Sequence, residues 1–137
     1  DQISILLKQA IIATEDANFY HHFGLDPKGV ARAILVNFKL RSPVEGGSTI
    51  SQQLIRSSFL TNKKTMGRKV QEIILTLELE RSYSKDQILG FYLNQIPFGS
   101  NTYGVEAASQ FYFHKKECAW LDIFLASQIL DDFYWLL

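Results

Sequence analysis

Helix-start signals recur along this chain, and they constrain its fold more than any other feature of the sequence. One is an aspartate followed by proline, which places a capping side chain before a residue that favours the first turn of a helix. Two others pair a hydroxyl residue with a glutamine three positions later, the pattern of a capping box. The signals are Asp26-Pro27, Thr49-x-x-Gln52 and Ser84-x-x-Gln87. Apolar residues follow them at spacings of three and four, and no two segments alternate as paired strands do. We therefore predict a mainly α fold.

Apolar periodicity and breaking residues bound the predicted helices within one domain that spans residues 1–137. The predicted helices cover about 3–14, 27–40, 49–59, 66–82, 85–96, 104–113 and 118–130. A polar, flexible excursion is expected at about 41–66. Because the chain opens inside a helical pattern and closes on apolar residues, we expect it to be a segment of a longer polypeptide.

Charge is balanced overall but divided unevenly along the chain. The formal net charge is zero, which argues against a dedicated nucleic-acid-binding protein. Residues 1–70 carry ten Lys or Arg against five Asp or Glu, whereas residues 71–137 carry four against nine. The basic excess is greatest at Arg56, Lys63, Lys64, Arg68 and Lys69. This stretch is either an anion-binding site or a solvated basic face.

Cys118 is the only cysteine, so no internal disulfide forms. The cysteine content therefore does not indicate whether the chain belongs to an oxidising or a reducing compartment.

Glu15 stands where the first predicted helix gives way to an aromatic loop at residues 17–25. A carboxylate in such a place is a candidate general base, with Asp16 and His22 placed to tune or orient it. The alternative is an exposed glutamate at the end of a helix. The adjacent pair His21-His22 does not favour a zinc site, because neighbouring histidines point apart and no helical His-x-x-x-His spacing exists.

Glu72 lies in line with Leu75 and Leu79 on a helix whose opposite face is also apolar. We therefore predict that this helix is buried on two sides, and that the carboxylate needs a partner. Arg68, four residues earlier, is the partner that spacing favours. The alternative to a catalytic role is a structural ion pair between these two residues.

The segment Gly46-Gly47-Ser48-Thr49 opens a helix that carries Gln52, Gln53 and Arg56. Glycines let a backbone approach a ligand closely, and a helix N-terminus favours anions. Neutral hydrogen-bonding groups and a fixed cation then follow within nine residues, an arrangement suited to a sugar pyrophosphate. The alternative is an ordinary capped amphipathic helix.

Residues 34–61 carry more apolar bulk than one buried helix face requires. The apolar residues are Ile34, Leu35, Val36, Phe38, Leu40, Phe59 and Leu60, with Lys39, Arg41, Lys63 and Lys64 beside them. Apolar bulk flanked by cations is the pattern of a segment that lies in a membrane interface. We expect a mobile lobe that dips into the bilayer surface; the alternative is that these residues belong to the core.

Five sequence blocks, taken in order, resemble the peptidoglycan glycosyltransferase family, the transglycosylase domain of penicillin-binding proteins and of monofunctional cell-wall transglycosylases. The blocks are Glu15-Asp16-x-x-Phe19-x-x-His22-x-Gly24, Gly46-Gly47-Ser48-Thr49-Ile50-Ser51-Gln52-Gln53-Leu54, Arg68-Lys69-x-x-Glu72-Ile73, Tyr83-Ser84-Lys85-Asp86-Gln87-Ile88-Leu89-x-x-Tyr92-Leu93-Asn94 and Gly104-x-x-x-Ala108-x-x-x-Tyr112-Phe113. The resemblance covers roughly residues 10–113. Arg56 stands where the family more often has Lys, which keeps the charge but changes the hydrogen-bond geometry.

The resemblance implies a lysozyme-like helical globular lobe with a smaller, flexible jaw lobe. It implies that Glu15 is the general base for the 4-hydroxyl of the acceptor sugar. Glu72 would assist the departing pyrophosphate, directly or through a divalent cation such as Mg²⁺ or Mn²⁺; no metal site is assigned. The implied substrate-binding residues are Asp16, Phe19, His22, Thr49, Gln53, Arg56, Lys64, Arg68 and Lys69.

The resemblance also implies the reaction and its setting. The substrate would be lipid II and the growing glycan strand, joined by β-1,4 linkages with inversion and release of polyprenyl pyrophosphate. The expected location is the outer face of the bacterial cytoplasmic membrane, with a fused or associated transpeptidase as a further partner. Two alternatives are a lysozyme-like glycan hydrolase, which would not need the basic stretch, and a non-catalytic module that binds lipid II.

Overall fold

The predicted mainly α fold is confirmed. The computed structural model describes residues 3–41, 46–60, 65–99 and 101–113, and the helices below belong to these residues. They are α1 (Ile5–Glu15), α2 (Pro27–Leu40), α3 (Ile50–Phe59), α4 (Met66–Ser82), α5 (Lys85–Gln95) and α6 (Val105–Phe113), with a 3₁₀ turn at Phe19–His21. The predicted helix at 118–130 and the residues Lys64 and Cys118 lie outside the described residues.

The three predicted helix-start signals are confirmed as capping hydrogen bonds. Asp26 caps α2 by accepting a backbone N–H of the first turn at 3.1 Å, and a proline follows it. Thr49 accepts from the backbone N–H of Gln52 at 3.2 Å, and the Gln52 side chain accepts in return at 3.1 Å. Ser84 and Gln87 form the same reciprocal pair at the start of α5. These bonds satisfy N–H groups that a helix start otherwise leaves without a partner.

The hydrophobic core is centred where α3 packs against α5. Its buried members are Leu7, Phe19, Ile50, Leu54, Ile88, Leu89, Tyr92, Leu93, Ile96 and Val105. The helix α3 falls inside the predicted excursion at 41–66, yet its apolar side belongs to this core. Residues 42–45 and 61–64 on either side of it lie outside the described residues. The separate jaw lobe therefore stays a prediction.

The predicted two-sided burial of α4 is wrong. The buried residues of this helix are Glu72, Thr76 and Glu80, which recur every four positions and form one polar stripe. The apolar residues Val70 and Ile74 are 53% and 60% exposed. The polar stripe can face inwards because both carboxylates have partners, described below: Glu80 is bound from other parts of the chain and Glu72 by a lysine of α4 itself.

The apolar surface of α2 is exposed, and so is the end of α3. Phe38 is 81% exposed and Phe59 is 72% exposed, while Ile34, Leu35 and Leu40 are also exposed. The alternative that placed these residues in the core is therefore wrong. Across the part of the chain that the structure describes, no helix has the length and apolar character needed to cross a membrane.

Gly104 allows the chain to turn between α5 and α6. Its φ is +81°, in the left-handed region that glycine adopts without strain. Its N–H donates to the carbonyl of Ile96 at 2.9 Å. A Cβ at this position would lie 2.6 Å from the carbonyl oxygen of Asn94, so the backbone approach itself excludes a side chain.

Candidate active site

Glu15 is the last residue of α1, and an amide from α3 holds its carboxylate. Gln53 Nε2 donates to Glu15 Oε2 at 2.9 Å across 38 positions of sequence. Glu15 is partly buried rather than fully exposed. Among the described residues, Gln53 is the group bonded to this carboxylate, so Oε1 is the oxygen left for another ligand. The alternative of an exposed glutamate at a helix end is therefore wrong.

Asp16 ties the aromatic loop to the start of α3. Its buried carboxylate accepts from the backbone N–H of Ile50 at 3.1 Å. His22 Nε2 lies 2.9 Å from Oδ2 and 3.0 Å from Oδ1 of Asp16. Because an ionised carboxylate only accepts, His22 donates through Nε2. This carboxylate thus places the loop that follows Glu15 against the helix that carries Gln53.

Thr49 and Gly24 make a second link at the same place. The Thr49 hydroxyl donates to the carbonyl of Gly24 at 2.7 Å. Gly24 has a φ of +78°, and a Cβ there would lie 2.8 Å from Cγ2 of Thr76 and 2.9 Å from Cγ of Glu80. The loop therefore lies directly on α4, next to its buried polar stripe, and only glycine fits at that contact.

Glu72 is fully buried on α4. Lys69 donates from Nζ to Glu72 Oε1 and forms an ion pair with it, and the Lys69 side chain is 42% exposed. Spacing favoured Arg68 as the partner, whereas the hydrogen bond comes from Lys69. Glu72 Oε2 and Thr76 Oγ1 are buried and have no hydrogen-bond partner among the described residues. A buried carboxylate oxygen without a donor is rare in proteins, and such an atom is often part of a functional site.

The structure shows a further buried carboxylate, Glu80, that the sequence reasoning missed. Ser51 Oγ donates to Glu80 Oε1, and Lys85 Nζ donates to the same oxygen at 2.8 Å. The Lys85 ammonium also lies 4.4 Å from the centroid of the Phe19 ring, a cation–π contact. Glu80 lies eight residues after Glu72 on the same helix face, and that spacing was the signal that could have revealed it.

Tyr92 connects the core to the Glu15 side of the site. Its hydroxyl donates to Gln53 Oε1 at 3.1 Å. Burial raises the pKa of Tyr92 well above its usual value, and the charge of Glu15 raises it further, whereas the charge of Arg56 opposes the rise. Arg56 therefore lies within electrostatic reach of this cluster.

The structure thus brings together most of the predicted site residues in two groups. Hydrogen bonds link Glu15 to Gln53 and Asp16 to His22, while the Phe19 ring packs edge-on to His22 with centroids 6.3 Å apart. The second group is Glu72 with Lys69 on α4, which also carries Arg68. The helix α3 spans the two groups, since it bonds Glu15 through Gln53 and α4 through Ser51.

Comparison with known proteins decides the family. A model of the transglycosylase family matches residues 1–124. The chain belongs to the transglycosylase family. The chain is 50% identical over 115 residues to penicillin-binding protein 1A of Aquifex aeolicus, and the matched stretch covers 84% of this chain and 16% of that protein. It is 50% identical over 113 residues to penicillin-binding protein 1A/1B of Bacillus subtilis, covering 82% and 12%.

A shorter relative matches a larger share of its own length. Biosynthetic peptidoglycan transglycosylase of Acinetobacter baylyi is 49% identical over 116 residues, which are 85% of this chain and 52% of that protein. The transglycosylase chain therefore spans about half of this relative, and less than a fifth of the two penicillin-binding proteins.

Proposed function

We propose that this transglycosylase domain polymerises lipid II into β-1,4-linked glycan strands, with inversion at the anomeric carbon and release of polyprenyl pyrophosphate. One observation carries the proposal: the carboxylates of Glu15 and Glu72 have different environments, and α3 is hydrogen-bonded both to Glu15 and to α4, the helix that carries Glu72. Glu15 is partly buried with one oxygen bonded by an amide, and Glu72 is fully buried with a lysine beside it. Membership of the transglycosylase family, and a relative named for biosynthetic peptidoglycan transglycosylation, support the choice of substrate.

In this proposal, Glu15 is the general base. Its Oε1 accepts the proton of the acceptor 4-hydroxyl, while Gln53 holds Oε2 at 2.9 Å. The deprotonated oxygen attacks the anomeric carbon of the donor, and the bond from that carbon to the pyrophosphate oxygen breaks. A single displacement of this kind inverts the anomeric centre and needs no covalent intermediate.

The α4 side of the site takes the leaving group. The pyrophosphate gains negative charge as its bond to the sugar breaks, and nearby cations stabilise that charge. The Lys69 side chain is partly exposed and its ammonium is bonded to Glu72, so we propose that it contacts the pyrophosphate from a defined position. Arg68 lies on the same helix, and Arg56 and Lys64 belong to the same basic stretch of sequence. Thr49, Asp16, Phe19 and His22 are proposed to shape the sugar subsites.

A divalent cation fits this site only together with the substrate. Glu72 Oε2 and Thr76 Oγ1 are buried oxygens without a hydrogen-bond donor. Among the described ranges, no group of three or more metal-ligating side chains is present. Mg²⁺ commonly takes one or two carboxylates and completes its shell with substrate phosphates and water. Glu72 would therefore hold Mg²⁺ or Mn²⁺, and the cation would supply additional positive charge for the pyrophosphate.

The exposed apolar surface of α2 and the end of α3 suits a lipid-linked substrate. Phe38 is exposed on α2, next in sequence to Lys39 and close to Arg41, and Phe59 is exposed at the end of α3. Exposed apolar side chains near cations favour an anionic membrane interface. We propose that the domain works on the outer face of the cytoplasmic membrane, with this surface in contact with lipid. A fused or associated transpeptidase is the proposed partner, since two relatives are named penicillin-binding proteins.

Substitution of Glu15 tests the proposal. Glu15→Gln keeps the shape of the side chain and removes the base, so polymerisation of lipid II should fall by about 10²- to 10⁴-fold. Binding of lipid II and the thermal midpoint should change little. Glu106→Gln, at an exposed position on α6, is the matched control and should keep full activity. Polymerisation by Glu15→Gln at the wild-type rate would show that Glu15 is not the base, and a wild type that binds lipid II without turnover would favour the non-catalytic alternative.

A further inference from the structure

Tyr92 has a hydroxyl group that packing does not explain. The residue is 2% exposed and belongs to the hydrophobic core on α5. A phenylalanine ring would fill the same space without a polar atom to satisfy, and burial of a hydroxyl is unfavourable unless it finds a partner. The partner here is Gln53 Oε1, at 3.1 Å, on the adjacent helix α3.

The bond from Tyr92 continues to the proposed catalytic base. Gln53 uses its other amide atom, Nε2, to donate to Glu15 Oε2 at 2.9 Å. Two hydrogen bonds in series thus lead from the core to Glu15. The oxygen and the nitrogen of the Gln53 amide are thus both hydrogen-bonded, the oxygen to Tyr92 and the nitrogen to Glu15.

The direction of both bonds follows from the chemistry of the three groups. An ionised carboxylate only accepts, so Gln53 must present its amino group to Glu15 and its carbonyl to Tyr92. That carbonyl needs a donor. Tyr92 serves as one, since a tyrosine keeps its proton at neutral pH, and burial together with the charge of Glu15 raises its pKa further. A turned amide would place its carbonyl oxygen against the Glu15 carboxylate, so that two acceptors face each other, whereas the Tyr92 hydroxyl can pair with either amide atom.

We propose that Tyr92 is a positioning residue that fixes the Gln53 amide and, through it, the carboxylate of Glu15. The role rests on the proposed function of Glu15 as the base. Tyr92 acts through Gln53 and needs no contact with the substrate. Without the Tyr92 hydroxyl the Gln53 carbonyl loses its bond to the core, and the amide that donates to Glu15 is held less firmly, so the carboxylate is placed less accurately towards the acceptor hydroxyl.

The test is Tyr92→Phe, assayed by lipid II polymerisation. We expect kcat to fall by about three- to tenfold, the scale of one lost hydrogen bond, with KM unchanged within about twofold. The thermal midpoint should stay near that of the wild type, because the ring still fills the core. Tyr112→Phe is the matched control: it removes a hydroxyl that donates to the Phe98 carbonyl at 2.9 Å on an exposed side chain, and it should leave kcat unchanged.

A double-mutant cycle separates positioning from a general effect on the fold. If Tyr92 acts through Gln53, then Tyr92→Phe should cause no further loss of kcat when Gln53→Ala is already present. An equal loss of kcat in both backgrounds, or full kcat in Tyr92→Phe alone, would overturn the positioning role while the proposed function stands. A wild type that does not polymerise lipid II would overturn both.

Discussion

The substitution Glu72→Gln should abolish most activity and change the stability of the fold little. Glu72 is fully buried, and its hydrogen-bond partner Lys69 has a side chain that is 42% exposed. Gln has nearly the same shape, still accepts from Lys69 and carries no charge. The variant thus removes a buried charge and leaves behind a lysine whose side chain is partly exposed.

Two contributions to the stability change have opposite signs: loss of the ion pair destabilises the fold, and loss of a buried charge stabilises it. An ion pair with an exposed partner contributes roughly 0–1 kcal/mol, and the variant loses this contribution. The desolvation of a buried carboxylate costs several kcal/mol even after relaxation, and this part is relieved. The severe penalty for a broken buried pair, roughly 3–5 kcal/mol, applies when the remaining charge is buried, and Lys69 is not. We therefore expect the free energy of unfolding to fall by less than about 1 kcal/mol, or to rise, which is a thermal shift within about 8 °C.

Polymerisation by the same sample should fall by about 10²- to 10³-fold, the usual effect of losing one electrostatic contribution to a transition state. The assay measures lipid II turnover and thermal melting side by side. Glu78→Gln, an exposed position on the same helix, should change neither. A large loss of both melting temperature and activity would show that the Glu72–Lys69 pair is structural, and unchanged activity would remove Glu72 from the mechanism.

Two further predictions concern the backbone and the exposed surface. Gly104→Ala should lower the free energy of unfolding by about 2 kcal/mol or more, because a Cβ would lie 2.6 Å from a carbonyl oxygen at a φ of +81°; Gly90→Ala, inside α5 with open space around it, should raise it by about 0.5–1 kcal/mol. Urea unfolding of the two variants checks this, and equal effects would contradict it. Phe38→Ser with Phe59→Ser should weaken binding to anionic liposomes and leave melting nearly unchanged, because both side chains are exposed. Phe111→Ser, at an exposed position on α6, is the control, and intact liposome binding by the double variant would remove the membrane contact.

The helix boundaries were predictable because their signals are local. Asp26, Thr49 and Ser84 each cap the helix that follows them, and a capping bond involves residues only two or three positions apart. The inward polar stripe of α4 was not predictable in this way. Hydrophobic periodicity assumes that apolar residues face the core, whereas Glu80 faces inwards because Ser51 and Lys85 bind it.

In the candidate site, too, local motifs were informative, whereas contacts that depend on tertiary packing were not predictable. The motifs predict that Glu15, Gln53 and Glu72 belong to one site, but the hydrogen-bond partners of these residues depend on how the side chains pack. Nothing in the sequence indicates that Tyr92, 39 positions after Gln53, donates to its amide, because that contact exists only once α3 lies against α5. The partner of Glu72 likewise depended on side-chain reach: spacing favoured Arg68, whereas the hydrogen bond comes from Lys69.

The most direct test of the proposed function is the fate of the glycan. The protein is incubated separately with lipid II and with finished glycan strands, and the products are separated by length and analysed for released polyprenyl pyrophosphate. Strands that grow from lipid II with equimolar release of polyprenyl pyrophosphate, and finished strands that keep their length, are the predicted result. Shortened strands in the second incubation, with no growth in the first, would contradict the proposed polymerisation and identify a hydrolase.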